Sequence, residues 1–380
     1  MRIAFVVNNV DFLLSHRLEI CTNAIKLGYE VHVISPYRKG IVSELGEVGI
    51  LFHKLKLSRG GKNPFLELKI VFDLSCLFKE IQPDIVHLIT LKPYLYGGIA
   101  ARIAKVPAVV SAVAGLGILF SSSNLKYQLL RRVVYPFFYL AFGHDNQVVI
   151  FQNLNDRDIL LNWGVVKKNK ACIIRGSGVD LDLYPYYPEP VGVPIISFAA
   201  RLLIDKGVKI FFEASKILQS HNVKARFRII GDIDSGNPNS VTKKELKKWS
   251  DEGLVEVLGF RDDIPYLFSD SNIVTLPSFY GEGLPKTLIE AAACGRAVIT
   301  TDHPGCRDAI EVNKTGLLVP IKNAMALADS IEYLIENSVV RNHFGEAGRD
   351  LAVREFNVIG VVEKHIKIYN SLLLNADTLN

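Results

Sequence analysis

The stretch PSFYGEGLPKTLIEAAACG, residues 277–295, places two carboxylates, Glu282 and Glu290, eight residues apart across a loop-to-helix junction. Gly281 and Gly283 flank the first acid and let the backbone approach a ligand closely. Pro285 suits the first position of a helix, where its missing N–H is no loss. The helix expected over about 286–294 then offers unpaired N–H groups and the positive end of its dipole, a ready anion site. One acid can meet a ligand at the helix mouth while the other reaches along its side. Carboxylates accept hydrogen bonds from hydroxyl pairs such as those of a ribose. The pattern therefore points to two acids holding two sugars with a phosphate between them. The plainer alternative is a capped helix whose acids face water.

A second chemistry-bearing segment is SFAARLLIDKGV, residues 197–208, where Arg201 and Lys206 follow an apolar run and precede a helix. A guanidinium fork and a compact ammonium at a strand end suit a diphosphate; a Lys-Gly before a helix is also a common structural feature. Two DxD triplets, DLD at 180–182 and DID at 232–234, raise a metal reading. The first belongs to the GSGVD turn and the second to a polar loop, both expected away from the basic pair. With cations at a diphosphate a divalent ion is redundant, so no metal site and no cofactor are expected.

These residues need elements to position them, and the chain supplies short apolar runs alternating with helix-length amphipathic stretches. That is the pattern of parallel βαβ units. Strands are expected at 2–7, 30–35, 50–55, 84–89, 108–113, 147–152 and 171–175, with helices such as 14–28, 64–81, 94–104, 125–142 and 154–163 between them. After the proline-rich piece DLYPYYPEPVGVP (182–194), read as a linker, strands resume at 195–200, 226–231, 255–260, 272–277, 297–301 and 316–320. At 380 residues two domains are expected. The fold expectation is α/β: two doubly wound Rossmann-like domains, 1–187 and 188–360, facing a central cleft, with a final helix at 361–380 packing back on the first. Ligands of such sheets bind at the carboxyl ends of the strands.

Residues 1–187 carry a net charge of +8 and the remainder −3. The basic half is either a solvated face or the seat of an anionic partner: headgroups, a diphosphate or nucleic acid. Five scattered cysteines without a CxxC pair suggest reduced thiols in the cytoplasm. The longest apolar runs fall short of a membrane span. The stretch 125–143 mixes Arg131 and Arg132 with Tyr135, Phe137, Phe138, Tyr139 and Phe142, as either an interfacial helix or a buried packing face would.

The combination E-x7-E in YGEGLPKTLIEAAACGRAVITTD, preceded by AARLLIDKG and GSGVDL and followed by GLLVP, resembles the retaining, nucleotide-sugar-dependent glycosyltransferases of the GT-B architecture. The resemblance spans almost the whole chain. It implies that Glu282 contacts the donor sugar and Glu290 the ribose hydroxyls. Arg201 and Lys206 would neutralise the leaving diphosphate, and the backbone at Gly283 and Leu284 would meet sugar or phosphate, with Thr287 a further phosphate contact. AVAGLGILFSSSNLKYQLLRRVVYPFFYLAF and VVIFQNLNDRDIL resemble the subgroup that extends sugars on undecaprenyl diphosphate in O-antigen, lipopolysaccharide, capsule or N-glycan precursor synthesis.

That subgroup resemblance implies a UDP-sugar donor, UDP-GalNAc first among them, and α-1,3 transfer to a polyprenyl-diphosphate-linked saccharide at the cytoplasmic face of the inner membrane. Gly115 and Gly117 would line the acceptor side, Asn153 and Asp156 would cap a helix near that rim, and His16 and Arg17 would meet the acceptor diphosphate or reacting centre. For His16 an ordinary helix-surface position is the alternative. Two departures stand out: NNVDF replaces the Gly-Gly loop of many relatives after the first strand, and Ala114-Gly115 replaces their His-Gly. Rival readings are a non-hydrolysing UDP-sugar epimerase of the same fold and a non-catalytic sugar-nucleotide binder. A Rossmann oxidoreductase lacks its GxGxxG here, and no nucleic-acid motif is present.

Overall fold

The computed structural model describes residues 1–57, 64–121 and 124–379. By contact density the chain divides into two units, Met1–Ser177 with Ile359–Asn380, and Gly178–Val358. Each is built on one parallel sheet flanked by helices.

In the first unit the strands are β1 (Arg2–Val7), β2 (Glu30–Ser35), β3 (Leu51–Lys54), β4 (Ile85–Ile89), β5 (Ala108–Val113), β6 (Gln147–Phe151) and β7 (Ala171–Ile173), in the order β3-β2-β1-β4-β5-β6-β7. The second holds β8 (Ile195–Ala199), β9 (Arg226–Ile230), β10 (Glu256–Gly259), β11 (Ile273–Leu276), β12 (Ala297–Thr301) and β13 (Gly316–Val319), in the order β10-β9-β8-β11-β12-β13. Every expected strand is present, some a residue or two shorter at their ends. Central strands such as β4, β5 and β8 are buried along their length. Helices on both faces exclude water, so such strands read as continuous apolar runs.

Three local readings differ from expectation. The helix expected at 94–104 begins as a π turn, Pro93–Gly97, before continuing as Gly98–Ala104. At Gly98 a side chain would strike the Ala141 carbonyl, so glycine lets this helix lie against the helix Leu125–Ala141. Pro285 is the cap of the helix Lys286–Ala293, not its first residue, because its ψ of 124° is extended. The proline-rich stretch belongs to the second unit by its contacts: the Tyr184 hydroxyl donates to Glu290, and Arg296 donates to the Tyr187 carbonyl.

The first unit encloses a polar cluster. Arg17, on the helix Val10–Lys26, is 2% exposed, and His87, His365 and Tyr369 are fully buried. His87 Nδ1 and the Tyr369 hydroxyl are 2.7 Å apart, and the two histidine rings lie 5.6 Å apart. His365 Nδ1 donates to the Val361 carbonyl at 2.8 Å. Burial pushes the Arg17 guanidinium down to about 10 and, with the Arg17 charge adding to it, His365 down to about 3. Burial, then His365 and Arg17, holds His87 well below the usual imidazole range.

Candidate functional site

In the second unit the strand order reverses between β8 and β11, the place where open parallel sheets bind ligands. The loop leaving β8 carries Arg201 and Lys206, and the loop leaving β11 carries residues 277–285. Lys206 Nζ lies 2.5 Å from Glu282 Oε2, with both side chains mostly shielded from water. Ser278 Oγ donates to the other Glu282 oxygen at 2.7 Å. The Phe279 N–H donates to the Asp205 carbonyl at 2.9 Å, tying the two loops together. Tyr280 places its ring 6.0 Å from the Lys206 ammonium. Burial pushes the Asp205 carboxyl above its ordinary range, and its Oδ1 is a buried acceptor without a partner.

Lys206 closes a single 3-10 turn, Ile204–Lys206, and Gly207 follows at φ 86°. A side chain at Gly207 would run into the Pro277 carbonyl as well as occupy a left-handed conformation. Gly207→Ala should therefore destabilise the second unit by roughly 1–3 kcal/mol and displace Lys206 from Glu282. A lowered melting temperature together with lost activity is the expected readout. Gly305, at φ 82°, backs the other side of the loop, where a side chain would strike the Glu282 and Gly283 carbonyls.

Glu290, 8% exposed, lies one turn into the helix. The Tyr184 hydroxyl donates to its Oε1 at 2.7 Å, and Lys286 Nζ lies 3.4 Å from the same oxygen. Burial and this carboxylate raise the Tyr184 phenol pKa. Gly283 and Leu284 are buried, and Thr287 Oγ1 donates to the Ala199 carbonyl at the end of β8, at 2.8 Å. Arg201 is half-exposed, and its Nη1 lies 2.7 Å from Asp234 Oδ2. The DID triplet was expected away from the basic pair; because β9 neighbours β8, its loop brings Asp234 onto Arg201 instead. In the other triplet, Asp180 Oδ1 accepts from the Asp182 and Leu183 N–H groups.

The remaining expected residues belong to the first unit. His16 lies on the helix after β1, its ring stacked on Phe12 at 4.2 Å and its Nδ1 2.7 Å from Ser15 Oγ. Arg17, expected on the acceptor side, faces the interior of the first unit, because the helical period turns it onto β4 and the last helix. Gly115 (φ 113°) and Gly117 (φ 59°) form the loop after β5. Asn153 caps the helix Leu154–Asn162 by accepting from the Asp156 N–H at 2.7 Å.

Four residues were missed by sequence reasoning. Ser278 lies inside the quoted motif, where only its hydroxyl was a signal. Tyr184 sits in the stretch read as linker. Gly305 could be recognised only once its neighbour loop was placed. Thr90 directly follows β4, where the first sheet reverses its order, with φ 74° and a buried hydroxyl that has no partner among the described residues. A β-branched residue in that conformation is strained, a feature that clusters at functional sites.

The family described as Glycosyl transferases group 1 matches residues 186–351, and Glycosyl transferase 4-like matches residues 2–152. Over 99% of its length the chain is 31% identical to all of the N,N'-diacetylbacillosaminyl-diphospho-undecaprenol alpha-1,3-N-acetylgalactosaminyltransferase of Campylobacter jejuni. The chain belongs to the group 1 glycosyltransferases. The transferase is also 27% identical to the Escherichia coli UDP-Gal:alpha-D-GlcNAc-diphosphoundecaprenol alpha-1,3-galactosyltransferase, over 81% of each chain. A glycosyltransferase structure from Rickettsia africae superposes with a TM-score of 0.77 at 22% identity, covering 98% of both chains. Anabaena HepE in complex with UDP gives 0.76 at 19%, covering 98% of the transferase and 100% of that chain. These likenesses establish the fold as the α/β GT-B type expected from sequence. Among the described residues, no helix of the transferase is long and apolar enough to cross a membrane.

Proposed function

We propose that the transferase moves an N-acetylhexosamine, GalNAc in α-1,3 linkage, from its UDP-sugar to a saccharide on undecaprenyl diphosphate, with retention at the anomeric carbon. The full-length likeness to the Campylobacter jejuni enzyme carries this reading. The first unit takes the acceptor and the second the donor, at the cytoplasmic face of the inner membrane, in the synthesis of O antigen, capsule or a related glycan precursor.

Donor binding begins with charge. The diphosphate draws Lys206 and Arg201 from their carboxylate partners, and the N–H groups at Gly283, Leu284 and the helix mouth complete its cradle. Glu282, released from the ammonium, accepts hydroxyls of the transferred sugar. Glu290 accepts from the ribose, oriented by Tyr184. The anomeric C–O bond to the diphosphate breaks with its electron pair going to UDP. The acceptor oxygen bonds the same carbon from the same face, and its proton passes to the departing phosphate oxygen. Charge builds on the leaving group, where fixed cations and a helix N-terminus stabilise it.

Tyr184→Phe removes a buried hydrogen bond and should weaken UDP binding by about 1–2 kcal/mol, raising the donor KM with little change in kcat. The function itself is tested by screening UDP-GalNAc, UDP-GlcNAc, UDP-Gal and UDP-Glc against a short prenyl-diphosphate-linked N-acetylhexosamine, with linkage read by NMR. Transfer from UDP-GalNAc giving an α-1,3 product is expected. Turnover of UDP-sugar to its epimer without an acceptor would overturn it.

A further inference from the structure

A hollow of about 490 Å³ opens in the first unit between Phe120, the helix Leu125–Ala141 and the end of the helix Leu154–Asn162. Its floor is apolar: Phe120, Ile159 and Trp163. The Trp163 ring lies 5.0 Å from Phe120 and 5.1 Å from the buried Phe138, so the floor is a packed aromatic cluster. Its rim is cationic and amide-lined, with Arg131, Arg132, Gln128 and Asn162, and no acid among the lining residues. Arg131 Nη1 donates to the Phe120 carbonyl at 3.2 Å, which fixes that guanidinium beside the floor. The helix carries Lys126, Arg131 and Arg132 and no carboxylate.

The same helix shows a second feature. Leu125, Leu129, Val133 and Phe137 recur every fourth residue and are 78%, 63%, 60% and 44% exposed. Four-residue spacing sets them in one row along the helix, and Arg132 adjoins it as the neighbour of Leu129 and Pro136. Phe138, turned inward, is buried, so the opposite face of this helix packs into the core. An apolar row of this length on a water-facing helix marks an apolar partner. Beside it, two guanidiniums mark an anion able to take a bidentate fork.

We propose that hollow and row together form a binding site for a prenyl diphosphate, Arg131 and Arg132 holding the diphosphate and the Leu125–Phe137 row the first isoprene units. The site rests on the reading of the acceptor as lipid-diphosphate-linked and names where its lipid end is held. A nucleotide diphosphate would leave the row uncovered, and a neutral lipid would leave the guanidiniums without a counter-charge. An apolar chain ending in a diphosphate uses both features.

The full chain carrying Trp249→Phe, which leaves Trp163 as the remaining indole, is titrated with farnesyl diphosphate, farnesol and inorganic pyrophosphate while Trp163 emission is followed. Farnesyl diphosphate should bind at least about tenfold tighter than either fragment, and Arg131→Ala/Arg132→Ala should weaken it by about tenfold or more. Leu129→Glu/Val133→Glu should weaken farnesyl diphosphate and leave pyrophosphate unchanged. Arg132→Ala alone, at an exposed position, guards against misfolding of the double variant, and UDP binding should be unchanged throughout. Unaltered farnesyl diphosphate affinity in the arginine and row variants would overturn the site. So would binding confined to phosphatidylglycerol vesicles, which would make the face a bilayer contact. If the wild-type chain neither binds farnesyl diphosphate nor transfers sugar to a prenyl-diphosphate acceptor, the acceptor reading fails as well. Transfer with unaffected variants sinks the site alone.

Discussion

Lys206→Ala should lower kcat by roughly 10²–10³-fold while the protein remains folded, the loss expected when one fixed donor is removed from a developing oxyanion. Lys206 leaves β8 at the switch point of the second sheet, and its ammonium is mostly shielded, where charge acts through less water. Its 2.5 Å contact with Glu282 shows that the two loops bring the charges together. Glu282→Gln should also lower turnover, because an amide cannot match a carboxylate as an acceptor of sugar hydroxyls. If both residues serve one step, the double variant should lose far less than the combined losses of the single variants. Steady-state kinetics with a saturating acceptor, beside a thermal melt of each variant, separates catalysis from folding. Near-normal turnover of Lys206→Ala would remove the ammonium from the leaving-group site.

Acidification should destabilise the first unit well before ordinary carboxylates titrate. An imidazole has an ordinary pKa near 6.5, and burial pushes that of His365 down to about 3. The folded pKa lies below the unfolded one, so the neutral ring's contribution is complete above about pH 6.5 and is lost progressively as pH falls toward about 3. At about 1.4 kcal/mol per pKa unit the full loss is on the order of 4–5 kcal/mol. His87 is shifted in the same direction, by burial and by the charges of His365 and Arg17. Melting temperatures measured between pH 7.5 and 5 should fall with pH, and His365→Gln should flatten that slope. A pH-independent melt over this range would show that the histidines are not held neutral.

How much of this was readable beforehand depends on the range of the interactions. The central strands were legible because parallel strands covered on both faces must be apolar throughout, and the edge strands followed as shorter apolar runs in the same alternation. Glu282, Glu290, Arg201 and Lys206 were legible as candidates because strand-end loops and a helix N-terminus are local features, marked by glycine, proline and the spacing of charge. The helix after β1 was legible as a helix, yet its period did not say which residue faced inward. His16 and Arg17 were neighbours of equal promise, and packing placed Arg17 in the interior.

By itself, then, the chain's order of residues determined the α/β class, the two-sheet build, the positions of the strand ends and the chemical types gathered there. Only the tertiary structure decided the partners: Lys206 with Glu282, Arg201 with Asp234, Tyr184 with Glu290, and His87 with Tyr369. Each of these pairs joins residues far apart in the chain. Local propensity and periodicity act over a few residues, whereas such contacts exist only after the strands have taken their order in the sheet and brought their loops side by side.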